Sequence, residues 1–168
     1  MVSMVDSYRF LDCVAKRVMR HWSGLSAVRP ITWTPLAKPL PECTVAFVSS
    51  AALALNSDCP FDLEVERLDP WFSDPSYRVL PRNTRTGEVR ICHLHVNPAF
   101  ARQDLNCVMP LDRLAELVAL GEVGDSAPSH YSYVGYTLRP ERLLHEAVPS
   151  MVERMQQERI DAVVLVPV

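Results

Sequence analysis

The run Ile160-Asp161-Ala162-Val163-Val164-Leu165-Val166-Pro167-Val168 constrains this chain more than any other stretch. It is short, apolar and rich in β-branched side chains, and a long helical pattern precedes it. That is how the second strand of a βαβ crossover reads, and it predicts a buried strand. Strands of this kind belong to mostly parallel sheets covered by helices. Ligands of open α/β sheets gather beyond the carboxyl ends of such strands, and the sequence stops at Val168. Two readings stand: a plain terminal strand, or a chain that stops where its chemistry would begin.

The rest of the chain is consistent with a single three-layer α/β domain over 1–168, its sheet mostly parallel and incomplete at the C-terminal edge. Phe10, Val14 and Val18, with Leu11, Ala15 and Trp22 beside them, predict an amphipathic helix over 7–22. Residues 27–42 are too rich in proline for a helix and read as an extended linker. The α/β core follows over 43–168. Cys43-Thr44-Val45-Ala46-Phe47-Val48-Ser49-Ser50 has the pattern of a first buried parallel strand. The residues after it, Ala51-Ala52-Leu53-Ala54-Leu55, contain no glycine, so neither a dinucleotide fingerprint nor a Walker loop is present.

Residues 56–90 hold three X-Pro turns and the aromatics Phe61, Trp71, Phe72 and Tyr77. They predict a long irregular excursion, either a lid or interface, or a surface loop pinned by aromatics. Residues 88–96 read as a strand with His93 and His95 on one face and Cys92 and Leu94 on the other. Residues 99–109 read as a turn segment that Asp104 and Asn106 order through their side chains. Pro110 opens a helix with Leu111, Leu114, Leu117 and Val118 on its core face, ended by Gly121 or Gly124. A last helix starts at Pro140 and leads into the terminal strand.

Composition narrows the function classes. The net charge of −3, with 48% hydrophobic and 22% charged residues, supplies no basic excess to draw nucleic acid or anionic lipid. No apolar run approaches the roughly 18 residues of a membrane span, and Asp6 and Asp12 interrupt any signal-peptide core. A cytoplasmic location is expected. Five widely spaced cysteines without a C-x-x-C pair argue for free thiols rather than disulfides or a zinc site.

Two groups of side chains carry candidate chemistry. Two imidazoles two apart on one strand face, His93 and His95, can hold a polar substrate, move a proton or ligate a metal, with Asp104 and His130 as the further candidates. They can equally be hydrogen-bonded structural histidines. The stretch from Ser129 to Tyr136 holds three tyrosines and a histidine, which suits a pocket wall made partly by Tyr131 and Tyr133, or a half-exposed strand. A cationic ammonium group could rest on such rings.

Several short motifs in order resemble one family. Tyr8-Arg9-Phe10-Leu11-Asp12, Trp33-Thr34-Pro35-Leu36-Ala37-Lys38-Pro39-Leu40, Asp74-Pro75-Ser76-Tyr77-Arg78, His93-Leu94-His95, Asp104-Leu105-Asn106, Pro110-Leu111-Asp112-Arg113-Leu114 and His130-Tyr131-Ser132-Tyr133-Val134-Gly135-Tyr136 together resemble the glycine/sarcosine/betaine reductase selenoprotein B and D-proline reductase family. The resemblance covers nearly the whole chain. It implies reductive cleavage of a carbon–nitrogen bond in a small amino acid or N-methylated derivative, with partner reductase subunits, one of which can supply a pyruvoyl group. It also implies a selenocysteine or cysteine nucleophile directly after the strand that matches Ala162 to Val168. This chain contains no such residue there and no cofactor of its own is expected. Because selenocysteine is encoded by a codon normally read as stop, the expectation is a selenoprotein truncated at that codon. On this reading His93, His95 and His130 bind substrate or transfer protons, Asp104 orients one of them, and Tyr131 and Tyr133 line the pocket. The alternative is a non-catalytic small-molecule or metal-binding subunit.

Overall fold

The computed structural model of the chain describes residues 12–25, 34–69 and 71–168. The chain divides into two compact units, Met1–Pro35 and Leu36–Val168. In the first, α1 (Cys13–Leu25) is the described part of the expected N-terminal helix; residues 7–11 of that expectation lie outside the described residues. Asp12 caps it, its carboxylate accepting the backbone N–H groups of Val14 and Ala15 at 2.9 Å each. The expected linker lies outside the described residues up to 33. From 34 it is irregular as far as a 3₁₀ turn at Leu40–Glu42.

The second unit contains β1 (Thr44–Ser49), β2 (Leu53–Leu55), α2 (Leu63–Leu68), β3 (Tyr77–Pro81), β4 (Val89–Ile91), α3 (Ala99–Gln103), α4 (Leu111–Ala119), β5 (Asp125–Ser126), β6 (Ser129–Tyr133), α5 (Val148–Gln157) and β7 (Ala162–Val166). It is a mixed α/β fold whose main sheet is mostly parallel. β1 is its central strand. β7 runs parallel along β1 from Val45 to Ser49, and on the other side β5 and then β6 pair parallel with its beginning and end. β3 adds antiparallel to β6, and β2 with β4 forms a separate antiparallel pair. Side chains of β1 alternate between two cores, as a strand buried on both faces requires. Val45 and Phe47 join Leu105, Met109, Leu111 and Leu114, whereas Ala46 and Val48 join Tyr131 and Met151.

The ladder on the β5–β6 side of β1 is interrupted, and side chains mend it. β5 pairs with Thr44 and Val45, β6 with Val48 and Ser49, so the N–H of Phe47 has no strand partner there. It donates instead to Nδ1 of the fully buried His130 at 3.0 Å. Beyond β1, the buried N–H of Leu53 donates to Oγ of Ser132 at 2.8 Å, and that hydroxyl donates to the carbonyl of Ser49 at 3.1 Å. Between them the chain turns through Ala52 at φ +53, a left-handed conformation that costs a non-glycine residue about 1 kcal/mol or more.

Three sequence expectations are corrected here. The excursion at 56–90 is not irregular: it contains α2 and the sheet strand β3. Cys59-Pro60 lies just before α2 and Asp74-Pro75 just before β3. The strand expected over 88–96 ends at Ile91: the Cys92 N–H still bonds the Ala52 carbonyl in ladder register, but the Ala52 N–H goes to the Tyr133 carbonyl and the following residues turn. Residues 99–109 form α3 and a 3₁₀ turn at Leu105–Cys107, with Asp104 accepting the Asn106 N–H as the Asx pattern implies.

The expected helices behave as their caps dictate. α4 starts after Pro110 and stops before Gly121, which sits at φ +73; Leu111 and Leu114 are buried, while Leu117 is exposed. The last helix opens with a π-helical segment, Leu143–Ala147, in which the Val148 N–H reaches back five residues to Leu143. Pro149 follows and offers no N–H, and such a residue disturbs the regular ladder before it.

β7 forms as expected but is not buried. Val163, Val164 and Leu165 are exposed, Leu165 by 71%. Its register is held by Asp161, whose carboxylate accepts the Thr44 N–H at 2.8 Å and pairs with Lys38 at 2.8 Å. On the α5 side, Val163 and Leu165 line an apolar groove of about 370 Å³ together with Val48, Tyr133, Leu144 and Val152.

Ser132→Ala leaves the buried Leu53 N–H without its acceptor. Unfolding in urea is expected to show a loss of about 1–3 kcal/mol, with the far-UV spectrum unchanged.

Candidate functional site

The carboxyl ends of β1 and β6 meet at one corner of the sheet, where the turn after β4 and helix α2 also arrive. Gly135 is required at this corner: a Cβ there would lie 2.7 Å from Cβ of Ser50. Its N–H donates to the Ser50 carbonyl at 2.9 Å. The Ser50 hydroxyl in turn accepts the Val168 N–H at 2.8 Å. Next to Gly135, the Tyr136 ring lies 4.2 Å from the His95 ring, centroid to centroid. Val168 and His95 are thus joined through Ser50, Gly135 and Tyr136.

His93 and His95 sit in the turn that follows β4, not on a strand face. The backbone N–H of His95 donates to Nδ1 of His93 at 3.1 Å, and their rings meet edge to face at 5.9 Å. That bond leaves neutral His93 with its proton on Nε2, a donor. Burial, with the neighbouring His95, holds the His93 pKa below the usual histidine range. His95 is half exposed, its side chain 51% accessible.

Behind His95 lies a residue the sequence reading did not single out. Glu66 projects from α2 with its side chain only 2% exposed, and its Oε1 is 3.7 Å from Nε2 of His95. That oxygen is buried without a hydrogen-bond partner. Burial pushes its carboxyl above the usual carboxylate range; His95 opposes the shift and Asp74 adds to it. The helix is held in this orientation at its start: Asp62 caps it by accepting the Val65 N–H at 3.1 Å, and Asp74 accepts the Asp62 N–H at 3.0 Å. Arg78 lies over the buried Phe61 ring at 4.3 Å and donates to the carbonyls of Cys59 and Pro60. A signal existed in the sequence. After the Asp62 cap, Glu66 falls three residues beyond Leu63, on the apolar side of a short helix.

The other candidates lie in different settings. His130 is fully buried, accepting from Phe47 at Nδ1 while Nε2 lies 3.2 Å from the Ser126 hydroxyl, so both ring nitrogens are engaged within the sheet. Burial, with a smaller contribution from Arg82, lowers its pKa to about 4. Tyr131 is fully buried in the core beneath α5, its ring 6.0 Å from that of Tyr77, and burial together with Glu158 pushes its phenol up to about 12. Tyr133 lines the apolar groove beside β7.

Asp104 accepts both the backbone and side-chain N–H groups of Asn106, which hold its carboxyl below the usual range. Asn106 then bonds Asp112 at the start of α4. No hydrogen bond or ion pair joins Asp104 to His93, His95 or His130. Among the described residues, no three His, Cys, Asp or Glu side chains converge to hold a metal ion. All five cysteines are free thiols; Cys92 is buried among Ala52, Ala54, Phe61 and Val134. No helix among the described residues is long and apolar enough to cross a membrane.

The chain is similar to the D-proline reductase subunit gamma of Acetoanaerobium sticklandii, with 27% identity over 136 residues. The aligned region is 81% of this chain and 53% of that protein, so the chain spans about half the length of the curated relative it matches. No family model and no solved structure matches it.

The depressed pKa of His130 carries a pH signature. Between about pH 6.5 and about 4 the unfolded chain binds a proton that the folded chain refuses, so stability is full above that window and falls as pH drops through it. The shift corresponds to about 3 kcal/mol. Urea titrations at pH 7 and pH 4 are expected to differ by roughly that amount more for the native chain than for His130→Asn, whose amide oxygen still accepts from Phe47 but does not titrate.

Proposed function

We propose that this chain is the substrate-facing part of an amino-acid reductase of the D-proline reductase kind. Its reaction is reductive cleavage of a carbon–nitrogen bond in a small amino acid or N-methylated derivative. The observation that carries the reading is the similarity to D-proline reductase subunit gamma across 81% of the chain. In this reading a selenol or thiol on polypeptide that continues after Val168 attacks the carbon, and the amine leaves with the bonding electron pair. His93 and His95 hold the substrate or move protons at its nitrogen. The chain works in the reducing cytoplasm, assembled with further reductase subunits.

Two features support placing the nucleophile after Val168. Val168 is tied to Ser50 at the corner that also carries Tyr136 and His95, so a next residue would start from the same corner. The exposed apolar residues of β7 and the groove beside it also call for more polypeptide. Fully burying a Val or Leu side chain yields about 1.5–3 kcal/mol, and three such side chains on one edge strand forgo much of it. A continuing chain that extends the sheet past β7 would complete a three-layer arrangement, with α3 and α4 on one face and α5 on the other.

Reading the DNA onward in frame from the Val168 codon tests the placement. A TGA followed by an open frame of α/β character is expected. A TAA or TAG with no such frame sinks it, and a non-catalytic binding subunit becomes the better account. In the completed protein, His93→Gln with His95→Gln is expected to lower kcat/KM about 10²–10⁴-fold and leave the melting temperature nearly unchanged. A collapse of thermal stability instead would make both imidazoles structural.

A further inference from the structure

We propose that Glu66 and His95 form a two-member proton relay, a carboxyl group inside the fold that exchanges a proton with the half-exposed imidazole at the sheet corner. The inference rests on the reductase reading for what the proton is used on, but not for the relay itself.

The geometry has three parts. Glu66 Oε1 is sealed from solvent, makes no hydrogen bond and lies 3.7 Å from Nε2 of His95. A buried carboxyl oxygen left unpaired is costly, so an otherwise structural residue would be expected to find a hydrogen-bond partner. Here an imidazole on a turn stands at 3.7 Å, and a shift of less than about 1 Å brings the pair to hydrogen-bond distance. His95 is also placed by two contacts that leave its ring nitrogens unoccupied: the Tyr136 ring packs tilted against its own, and its backbone N–H is held by His93.

Burial first, and then the charged surroundings, hold the Glu66 carboxyl above the usual carboxylate range. Asp74, on the loop before β3, repels a second negative charge at Glu66, and its own carboxylate is held ionised by Ser76, the Asp62 N–H and Arg78. Within α2, Glu64 and Arg67 pair with each other on the exposed side. From the turn after β4 come His93 and His95 themselves, and Tyr136 comes from the chain after β6. Among these described neighbours, His95 favours ionised Glu66 and Asp74 opposes it.

The transfer balances simply. The Glu66 carboxyl proton passes to Nε2 of His95, giving a carboxylate–imidazolium pair, and the imidazolium releases its Nδ1 proton to a base in the cleft. Solvent restores the proton through the exposed ring. A leaving amine, which departs with an electron pair, is a base of the required kind. Glu66 acts through His95 and is a positioning residue by this account.

NMR titration of the Glu66 side-chain carboxyl carbon in this 168-residue chain tests the relay without requiring turnover. In the native protein its midpoint is expected above the usual carboxylate range. His95→Gln should move it further toward alkaline pH, because the carboxylate loses the neighbouring imidazole. Glu64→Gln, a charge change on the exposed side of α2, should leave it unaltered. A stationary Glu66 midpoint in a folded His95→Gln variant overturns the relay. If that variant does not fold, His95→Asn is read in the same way and with the same consequence. A completed protein that shows this coupling but no C–N cleavage would remove the reductase reading and leave the relay in place.

Discussion

The fold depends on keeping the backbone of β1 satisfied where its neighbours change. One side of β1 is covered end to end by β7, but the other passes from β5 to β6 with a break at Phe47. In a buried strand an orphaned N–H is too costly to leave. His130 fills the break with an imidazole nitrogen, and Ser132 serves the next exposed donor, Leu53, while returning its own proton to Ser49. Two polar residues on β6 therefore carry the hydrogen bonding of the central strand past its interruption. The cost to His130 is loss of its protonated form across the ordinary range of histidine titration.

Once β1 is held this way, its carboxyl end becomes a fixed corner. Ala52 turns the chain at positive φ, and its carbonyl takes the N–H of Cys92. Its own N–H goes to the Tyr133 carbonyl rather than back to β4, so the ladder closes there and His93 and His95 fall in the turn that follows. The same corner receives Gly135 and Val168 through Ser50. Burial perturbs Glu66, His93, His130 and Tyr131 alike, so perturbation alone does not mark function. What separates them is surroundings: His130 is engaged at both ring nitrogens and Tyr131 lies in the core, while Glu66 and His93 border a half-exposed imidazole.

The opposite property, unburied apolar surface, is concentrated at β7. A strand that pairs along its whole length on one side only, with Val163, Val164 and Leu165 exposed, is an edge of the kind that soluble proteins cover or blunt. β7 carries no charge within Ala162–Val166 to blunt it. The groove between it and α5 is almost wholly apolar and has Tyr133 at its wall.

How much of this was legible follows from the range of the interactions concerned. The sequence by itself determined the elements whose signals are local. The continuous apolar run of β1, the β-branched run of β7, the Pro110 start and Gly121 stop of α4, and the Asx turn at Asp104 all act within a few residues. It also excluded a phosphate-cradling loop, because that needs glycines at stated positions. Only the tertiary structure decided which histidine is a sheet component and which faces the corner. His130 and His95 look alike in sequence, and their difference lies in Phe47, Ser126, Glu66 and Tyr136, all brought in from other elements. The strand expected to carry His93 and His95 was cut short where Ala52 gives its N–H to Tyr133, a pairing that no local pattern announces. Glu66 became a candidate because α2 turns it under a distant turn, and Tyr131 became core because α5 covers it. Periodicity reports which face a side chain takes; desolvation and pairing depend on what the folded chain places opposite that face.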